Sequence, residues 1–384
     1  MLALFEKIFF ISTQKKQFSR VRSIDLTENF IFDLCDLFTH SDFIQFFIMI
    51  LASYVNIWLL SMVFDQFEGL PYNQPIFCPN ASWSENATTF ASRDTIGADP
   101  WDIFVTTNNN VYVPNRSNKF IIVWPEANST SPRNISLNSF YIRTIFVTEE
   151  NYIYFNYQSG STNEIQRLSS NLSHFDSIMQ TYENCYDIFI DINNYIYCSL
   201  PDYYHQVIRK SLNNSFNQVK IVAGTGVSGS TSFMLHGPNG IFIDTNLDLY
   251  VADHFNNRIQ LFPFDQSDGI TVAGTGSSSS TISLNRPAAV ILDANKYVFI
   301  VGYLNYRIVE SGPNGFRCLV GCNGSGSTAN QLYNPRAISF DTYGNIFIAD
   351  GGNNRIQKLA LMTNSCSKFI KLQNIEVRFC TFTR

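Results

Sequence analysis

The chain has 384 residues and a formal net charge of −5, with 15% charged and 15% aromatic residues. This length allows one large domain and smaller flanking segments. The slightly acidic balance excludes a general electrostatic attraction to nucleic acid or to an anionic membrane surface.

The N-terminal segment, residues 1–42, mixes basic and acidic side chains. Its apolar start, Leu2–Ile11, is interrupted by Glu6 and Lys7, so this run is too short to cross a bilayer. We predict that residues 1–42 form a cytoplasmic tail.

An uncharged run, Phe43–Phe64, follows this tail. As a helix it would be roughly 33 Å long, enough for the hydrocarbon core of a membrane. Basic residues precede it and none lies between Asp65 and Ser92, so the positive-inside rule leaves the N-terminus in the cytoplasm. We predict a single transmembrane helix over residues 43–64. A buried helix of a soluble protein and a late, cleaved signal sequence are the alternatives.

Residues 65–86 are polar, contain several prolines and carry few helix signals. Such a composition is typical of an irregular connection between two structured parts. We predict a stalk over these residues.

The rest of the chain is organised around one repeated unit. Gly237–Phe262 contains a proline, a short β-rich run, a polar turn, a second run, an Asn-rich turn and a third run. Asn334–Leu359 repeats this order almost residue for residue. Two such copies indicate a repeat architecture.

Six units can be aligned on the first run, and most of them close with a fourth run. They recur at intervals of roughly 42 to 53 residues, and four short strands at this period indicate propeller blades. The aligned residues of the first runs are Ile103, Ile145, Ile188, Ile241, Val290 and Ile338.

The sixth unit lacks a good fourth run, whereas the stretch Ala87–Ala91 before the first unit resembles one. Pairing of Ala87–Ala91 with Arg355–Leu361 would complete the last blade and leave no open sheet edge. We therefore predict that the N-terminal side of the domain closes the ring.

The third and fourth units end in IVAGTG and TVAGTG, and the third runs of units four and six begin Asn257-Arg258-Ile259 and Asn354-Arg355-Ile356. These features resemble the NHL-repeat family over about residues 99–361, with Arg in place of the family's middle His. The resemblance implies a six-bladed propeller. We predict an all-β fold, a six-bladed β-propeller of NHL repeats over residues 87–366, preceded by the single transmembrane helix. Residues 367–384 are predicted to be a C-terminal tail.

Six cysteines are disulfide candidates. Cys185 and Cys198 flank the first two strands of the third unit, so a hairpin would bring them together. Cys318 and Cys322 can pair only if the chain reverses between them at Gly321, because four residues of straight strand span about 13 Å. Ring closure would let Cys78 meet Cys366 as a disulfide latch between the first blade and the last. The alternative is that Cys366 pairs with Cys380 and that Cys78 stays free or links two chains.

The sequence contains eight N-x-S/T glycosylation signals, about as many as its Asn, Ser and Thr content gives by chance. They therefore do not establish the compartment, although several should carry glycans if the domain is lumenal. The candidates are Asn80, Asn86, Asn115, Asn128, Asn134, Asn171, Asn213 and Asn323.

No metal or cofactor site is predicted. Asp244-x-Asn246-x-Asp248 resembles the start of a calcium loop but lacks the glycine and the acidic residue that such a loop needs later. We expect a hairpin turn there, and we expect Asp253 and Asp350 to bond local backbone. No cysteine pair has zinc-finger spacing.

We predict a membrane-anchored, extracellular or lumenal propeller that acts as a non-enzymatic binding module without catalytic residues. Its partner would be a protein or glycan on a propeller face built from loops such as Gly226–Gly237 and Gly276–Pro287, and not a nucleic acid. The alternative is a lyase or hydrolase with its site in the central channel. The NHL resemblance includes peptide-amidating lyases that hold a central metal with several His residues. The five histidines here are His40, His174, His205, His236 and His254, of which His40 lies outside the domain and His205 and His254 occupy different strand positions in their units. A sensor that couples the propeller to the cytoplasmic tail is a third reading.

Overall fold

A computed structural model describes residues 70–362, apart from residues 117, 129, 138–141, 161, 214–217 and 279–281, together with the backbone of two short strands near the C-terminus. The predicted cytoplasmic tail, the predicted transmembrane helix and residues 65–69 lie outside the described residues. Within the described part, no helix combines the length and apolar character needed to cross a bilayer.

The described chain forms six four-stranded antiparallel sheets. It begins with β1 (Thr88–Ala91) and a short helix α1 (Arg93–Ile96). Blade one consists of β2 (Phe104–Val105), β3 (Val111–Asn115), β4 (Phe120–Trp124) and β5 (Arg133–Ser136). Blade two consists of β6 (Ile145–Val147), β7 (Ile153–Ser159), β8 (Thr162–Leu168) and β9 (Phe175–Thr181). Blade three consists of β10 (Ile188–Ile190), β11 (Tyr195–Leu200), β12 (Gln206–Ser211) and β13 (Lys220–Ala223).

The second half of the ring repeats this order. Blade four consists of β14 (Pro238–Ile243), β15 (Leu249–Asp253), β16 (Arg258–Phe262) and β17 (Ile270–Gly274). Blade five consists of β18 (Pro287–Leu292), β19 (Val298–Gly302), β20 (Arg307–Gly312) and β21 (Gly315–Val320). Blade six consists of β22 (Pro335–Phe340), β23 (Ile346–Asp350), β24 (Arg355–Leu359) and β1. Three 3-10 turns lie at Pro125–Ala127, His254–Asn256 and Gly351–Asn353.

The first strands of neighbouring blades contact one another around a common axis. The second strands β15, β19 and β23 are buried along their whole length, because sheets pack against both of their faces. The fourth strands, such as β5 and β17, are mostly exposed or half-buried. A six-bladed propeller therefore follows from the predicted units, and the prediction of an all-β, six-bladed propeller is confirmed.

The ring closes as the sequence predicts. Strand β1 runs antiparallel to β24, with Thr88 opposite Lys358 and Ala91 opposite Ile356. Trp83 and Leu361 add a further antiparallel bridge. The N-terminal side of the chain thus supplies the outer strand of the last blade, so that β24 is paired on both of its edges.

The predicted stalk is packed against the propeller over residues 70–86. Leu70, Tyr72, Phe77 and Trp83 are buried there, and Phe77 contacts Trp83 edge-on with ring centroids 4.9 Å apart. These large apolar side chains gain more from packing against the blades than from water. Residues 70–86, predicted to be a stalk, are therefore part of the propeller domain.

The arginine of the Asn-Arg-Ile motif binds the loop that precedes the first strand of its own blade. Arg258 Nε pairs with Asp253 Oδ2 at 2.7 Å, and its other nitrogens donate to the carbonyl oxygens of Ser230, Thr231 and Met234. Asp253 Oδ1 accepts from the backbone N–H of His236 at 2.7 Å. Arg355 and Asp350 repeat the arrangement in blade six. The expectation that both aspartates bond local backbone is confirmed, and each also pairs with an arginine.

The aspartate that follows the first strand forms the hairpin turn in four blades. Asp244 Oδ1 accepts from the backbone N–H groups of Asn246 at 2.9 Å and Asp248 at 3.0 Å. The calcium-like sequence is therefore a turn, as expected. The aspartates in this arrangement are Asp191, Asp244, Asp293 and Asp341.

The first glycine of AGTG, and its counterpart in blade five, explain one of the disulfides. At Gly224, Gly274 and their counterpart Gly321, φ lies between 78° and 84°, and a Cβ would collide with a carbonyl oxygen just before the third strand. Only glycine fits such a position. The chain reverses at Gly321, and Cys318 and Cys322 form a disulfide with Cα atoms 5.8 Å apart.

Cys185 and Cys198 also form a disulfide, with Cα atoms 5.3 Å apart. Cys78 is disulfide-bonded, whereas Cys366 lies outside the described residues, so the predicted latch between them stays a prediction. In the predicted C-terminal tail, the backbone of β25 (Phe369–Leu372) pairs with β26 (Ile375–Arg378).

The glycosylation candidates differ in access. Asn115 is 3% exposed, and its Oδ1 accepts from the backbone N–H of Asn118 at 3.1 Å. A glycan on Asn115 therefore does not fit the folded blade. The other candidates are exposed, namely Asn80, Asn86, Asn128, Asn134, Asn171, Asn213 and Asn323.

Candidate functional site

The central channel contains a cavity of about 300 Å³, lined by the first strands of the blades. One end is covered by the segment that begins at Leu70. Asn73 Nδ2 donates to the carbonyl oxygens of Val105, Thr106 and Phe340, which belong to blades one and six. Tyr72 donates to the carbonyl oxygen of Ile243 in blade four at 3.1 Å. We call the opposite, open end the mouth.

An aromatic floor lies above this cover. It consists of Phe104, Phe146, Phe189 and Phe242, the residues that follow the aligned isoleucine in blades one to four. Adjacent rings have centroids between 4.8 and 5.5 Å apart. Tyr72 packs against two of them, at 4.9 Å from Phe189 and 5.3 Å from Phe242. The floor makes the inner end of the cavity apolar.

The repeat loses its symmetry in the ring of residues just before the aligned position. Blades one to three place polar side chains there: Asp102, Thr144 and Asp187. Blades four to six place small residues there, a small wall formed by Gly240, Ala289 and Ala337. At Gly240 even a Cβ would meet the backbone of Ala288 and Ala289. The polar half and the small wall both line the cavity, apart from Thr144.

Asp102 and Asp187, the carboxyl pair, each join two blades. Asp102 accepts from the backbone N–H of Ile103 at 2.7 Å and of Ile145 in blade two at 2.8 Å. Asp187 accepts from the N–H groups of Ile188 and, in blade four, of Ile241, both at 2.8 Å. No arginine or lysine of the described residues forms an ion pair with either carboxyl.

Burial raises the pKa of both carboxyls, although each keeps part of its surface on the channel. For Asp187 the nearby charge of Asp102 adds to the effect of burial, and together they raise its pKa to about 8. Two carboxyls that repel each other in this way do not both ionise easily. The pair therefore keeps a proton near neutral pH, which makes it a hydrogen-bond donor as well as an acceptor.

The pKa of Asp187 predicts a pH-dependent stability. The pKa of Asp187 is higher in the folded protein than in the unfolded chain, so the folded state binds the proton more tightly. The resulting contribution to the free energy of unfolding is complete below about pH 4 and is lost as the pH rises toward about 8. Below about pH 6.5 the buried His254, whose pKa is lowered to about 4, acts in the opposite direction. Above that pH we expect thermal stability to fall more steeply in the wild type than in Asp187→Asn. The exposed Asp94→Asn is the control, and parallel curves for all three proteins would contradict the assignment.

One side of the mouth is a stacked ladder of cations and aromatic rings. Arg336, Trp101, Arg143 and Tyr186 occupy the same repeat position in blades six, one, two and three. The guanidinium carbons of Arg336 and Arg143 lie 3.9 and 4.2 Å from the Trp101 ring centroid, and that of Arg143 lies 3.9 Å from the Tyr186 centroid. Arg336 also forms a two-point ion pair with Asp99, at 2.7 and 3.0 Å. These contacts hold the rim in place.

The other side of the mouth carries His254, Phe255, Arg286 and Tyr303. His254 Nδ1 donates to the carbonyl oxygen of Pro287 at 3.0 Å, which leaves Nε2 as an acceptor. Burial, together with repulsion from Arg286 and Arg336, lowers the pKa of His254 to about 4. His254 is therefore neutral at physiological pH, with two guanidinium groups close to it.

Three of the five histidines lie near one another, with Phe255 between two of them. His205 and His236 have ring centroids 5.4 Å apart, and His236 is 4.9 Å from Phe255, which separates it from His254. Within the described ranges, no three His, Cys, Asp or Glu side chains are grouped so that they could hold a metal ion. The predicted face loops contribute Gly237 and Arg286 to the cavity lining, whereas those disulfide and glycosylation candidates that the structure describes do not line it.

Neither the carboxyl pair nor the ladder of cations and aromatic rings was predicted from the sequence. The signal was present in the alignment, because Asp102 and Asp187 both precede Ile-Phe at the first strand of their units. Comparison of the six units position by position, instead of run by run, would have shown the polar half and the small wall.

No protein-family model matches the chain, and no curated protein matches it. Solved structures do. A structural genomics protein of unknown function from Bacteroides thetaiotaomicron has a TM-score of 0.58 at 16% identity, over 72% of this chain and 76% of that one. A streptogramin B lyase has a TM-score of 0.52 at 13% identity, over 72% and 97%. A putative gluconolactonase has a TM-score of 0.53 at 10% identity, over 76% and 97%. At these identities the likeness concerns the fold alone.

Proposed function

We propose that the protein is a non-enzymatic binding module that holds a small ligand in the channel mouth and releases it unchanged. The observation that carries this proposal is the cavity of about 300 Å³, covered at one end and open at the other. Its size lies at the lower end of the range of small-molecule sites. The ligand is therefore a small molecule or the terminal group of a larger partner, such as a glycan.

The break in the repeat supports this proposal. A ring of large apolar side chains at all six equivalent positions would fill the channel and stabilise the fold. Instead, Gly240, Ala289 and Ala337 leave space opposite two buried carboxyls. Buried carboxyls without a cationic partner reduce stability, so this arrangement is better explained by binding than by folding.

We further propose that the propeller is of NHL type and is anchored by a single membrane helix over residues 43–64, on the extracellular or lumenal side. The support is the uncharged run in the sequence together with the disulfides Cys185–Cys198 and Cys318–Cys322, which form in oxidising compartments. Protease protection in microsomes tests this topology. Digestion of the propeller without detergent would contradict it.

The binding proposal predicts that filling the cavity abolishes binding. Ala289 lies on the small wall, and Ala289→Leu places extra carbons where a ligand would lie. We expect small molecules found by a thermal-shift screen of the wild type to lose roughly tenfold or more in affinity for this variant. Ala360→Leu, at an exposed position, is the matched control. Ligands that bind both variants equally well would place the site elsewhere.

A lyase or hydrolase in the channel is the second candidate function. The neutral His254 and the protonated carboxyl pair line the same cavity, so that cavity holds one group that can accept a proton and one that can donate a proton. The fold likeness to a lyase and a lactonase adds to this candidate. Turnover of lactone or ester substrates that is lost in His254→Ala, but kept in the exposed His174→Ala, would favour it over binding alone.

A further inference from the structure

The basic and acidic side chains that line the cavity lie on different sides of it. Arg286 and Arg336 belong to blades five and six, whereas Asp102, Asp187 and Asp202 belong to blades one and three. We propose that the cavity binds a small organic acid in one orientation, with its carboxylate at Arg286 and Arg336 and a hydroxyl or amino group at the carboxyl pair. This inference rests on the proposed function, since it assigns the ligand class of the same site.

The arginine side can accept an anion. Among the described residues, the guanidinium of Arg286 forms no ion pair and no hydrogen bond, and its carbon lies 5.3 Å from the centroid of the Phe255 ring. Arg336 uses Nε and Nη2 for Asp99, and within the same residues its Nη1 makes no hydrogen bond. A carboxylate can therefore bind two guanidinium groups without breaking an existing pair, and such charge-assisted hydrogen bonds are the strong ones.

His254 fixes the position of that carboxylate. Its Nδ1–H is held by the Pro287 carbonyl oxygen, so its Nε2 repels an anion and accepts only from a donor. The neutral ring is surrounded by Phe255 at 4.9 Å and Tyr303 at 5.9 Å between centroids. The anion is therefore directed toward the two arginines and away from the imidazole.

The carboxyl side selects a hydrogen-bond donor. Asp187 Oδ2 and both oxygens of Asp102 each accept one backbone N–H and keep a lone pair for a further donor. Asp187 Oδ1 already accepts from the Ile188 N–H and from the Thr144 hydroxyl. A hydroxyl or amino group of the ligand can donate to these lone pairs, whereas a second carboxylate of the ligand would be repelled. Between the two polar sides, the small wall and the aromatic floor offer an apolar surface for the body of the ligand.

Three matched compounds test the orientation by calorimetric titration of the full chain. Mandelate carries a phenyl ring, a hydroxyl group and a carboxylate; phenylacetate lacks the hydroxyl, and 1-phenyl-1,2-ethanediol lacks the carboxylate. We expect mandelate to bind roughly ten times or more tightly than either analogue, because each loses one set of charge-assisted hydrogen bonds. Equal binding of all three, or preference for the diol, would overturn the inference.

A charge-matched pair of variants identifies the anion site. In Arg286→Met we expect mandelate to lose its advantage over the diol, whereas the exposed Arg93→Met should leave that advantage unchanged. Both variants should retain the wild-type thermal stability, which shows that loss of binding is not loss of folding. If mandelate binds Arg286→Met as tightly as it binds the wild type, the anion site is not at Arg286.

The failure of this inference is distinguishable from the failure of the proposed function. If none of the three compounds binds at millimolar concentration, but neutral ligands from the screen still require an open cavity at Ala289, the inference is wrong and the binding function stands. If no ligand of any kind depends on Ala289, both are wrong.

Discussion

A chain that begins at Gly69 is expected to fold cooperatively, whereas a chain that begins at Ser92 is expected to lose the native propeller. The longer chain retains β1, the outer strand of blade six, and the buried residues Phe77 and Trp83. The shorter chain leaves β24 with an unpaired edge and removes large side chains from the core. Far-ultraviolet circular dichroism and urea unfolding measure the difference.

A replacement within the full chain separates the strand from the packed segment before it. Exchange of residues 88–91 for glycine and serine keeps residues 70–86 but weakens the pairing with β24, since these residues are poor strand formers. We expect a lower free energy of unfolding and faster amide hydrogen exchange in β24 than in the wild type. Blades two and three, which lie far from the closure, should exchange last. If β24 stays as protected as in the wild type, closure does not depend on β1.

The second large effect that we expect is a loss of stability when Arg258 is replaced. Arg258→Leu leaves the fully buried Asp253 without its ion pair and three loop carbonyls without donors. Breaking a buried pair from one side costs about 3 to 5 kcal/mol. The expected loss of unfolding free energy is of that size, measured by urea denaturation.

Blade five supplies the matched control. Gly302 stands where blades four and six have the aspartate, and Arg307 keeps one hydrogen bond, from Nη2 to the carbonyl oxygen of Ser283 at 2.9 Å. Its buried Nε has no hydrogen-bond partner among the described residues. Arg307→Leu is therefore expected to cost only about 1 kcal/mol. Equal losses for Arg258→Leu and Arg307→Leu would show that the ion pair is not what stabilises the motif.

The repeated parts of the fold were predictable because they depend on local sequence. Three local features recur from blade to blade because the same backbone geometry recurs: the period of the units, the Asn-Arg-Ile motif and the AGTG ends. Closure by residues 87–91 was predictable for a different reason, since the sixth unit visibly lacks a strand. Arg258 shows the limit of this approach: the motif could be recognised, but its partners in the preceding loop depend on loop geometry.

The packed segment before β1 and the candidate site were not predictable in the same way. Prolines and polar residues between Leu70 and Asn86 resemble a linker, and only the three-dimensional ring shows that Tyr72 and Phe77 pack against its blades. The carboxyl pair joins residues that are far apart in sequence and meet only because blades one and three face the same axis. Such contacts arise from closure of the ring, which local patterns do not encode.

One measurement tests the central claim most directly. The wild-type protein and Ala289→Leu are equilibrated with a defined mixture of small metabolites, the bound fraction is recovered by ultrafiltration, and its compounds are identified by mass spectrometry. The account predicts that small organic acids are retained by the wild type, are lost with Ala289→Leu, and are recovered with unchanged mass. Retention of the same compounds by both proteins, or the appearance of new masses that depend on His254, would contradict it.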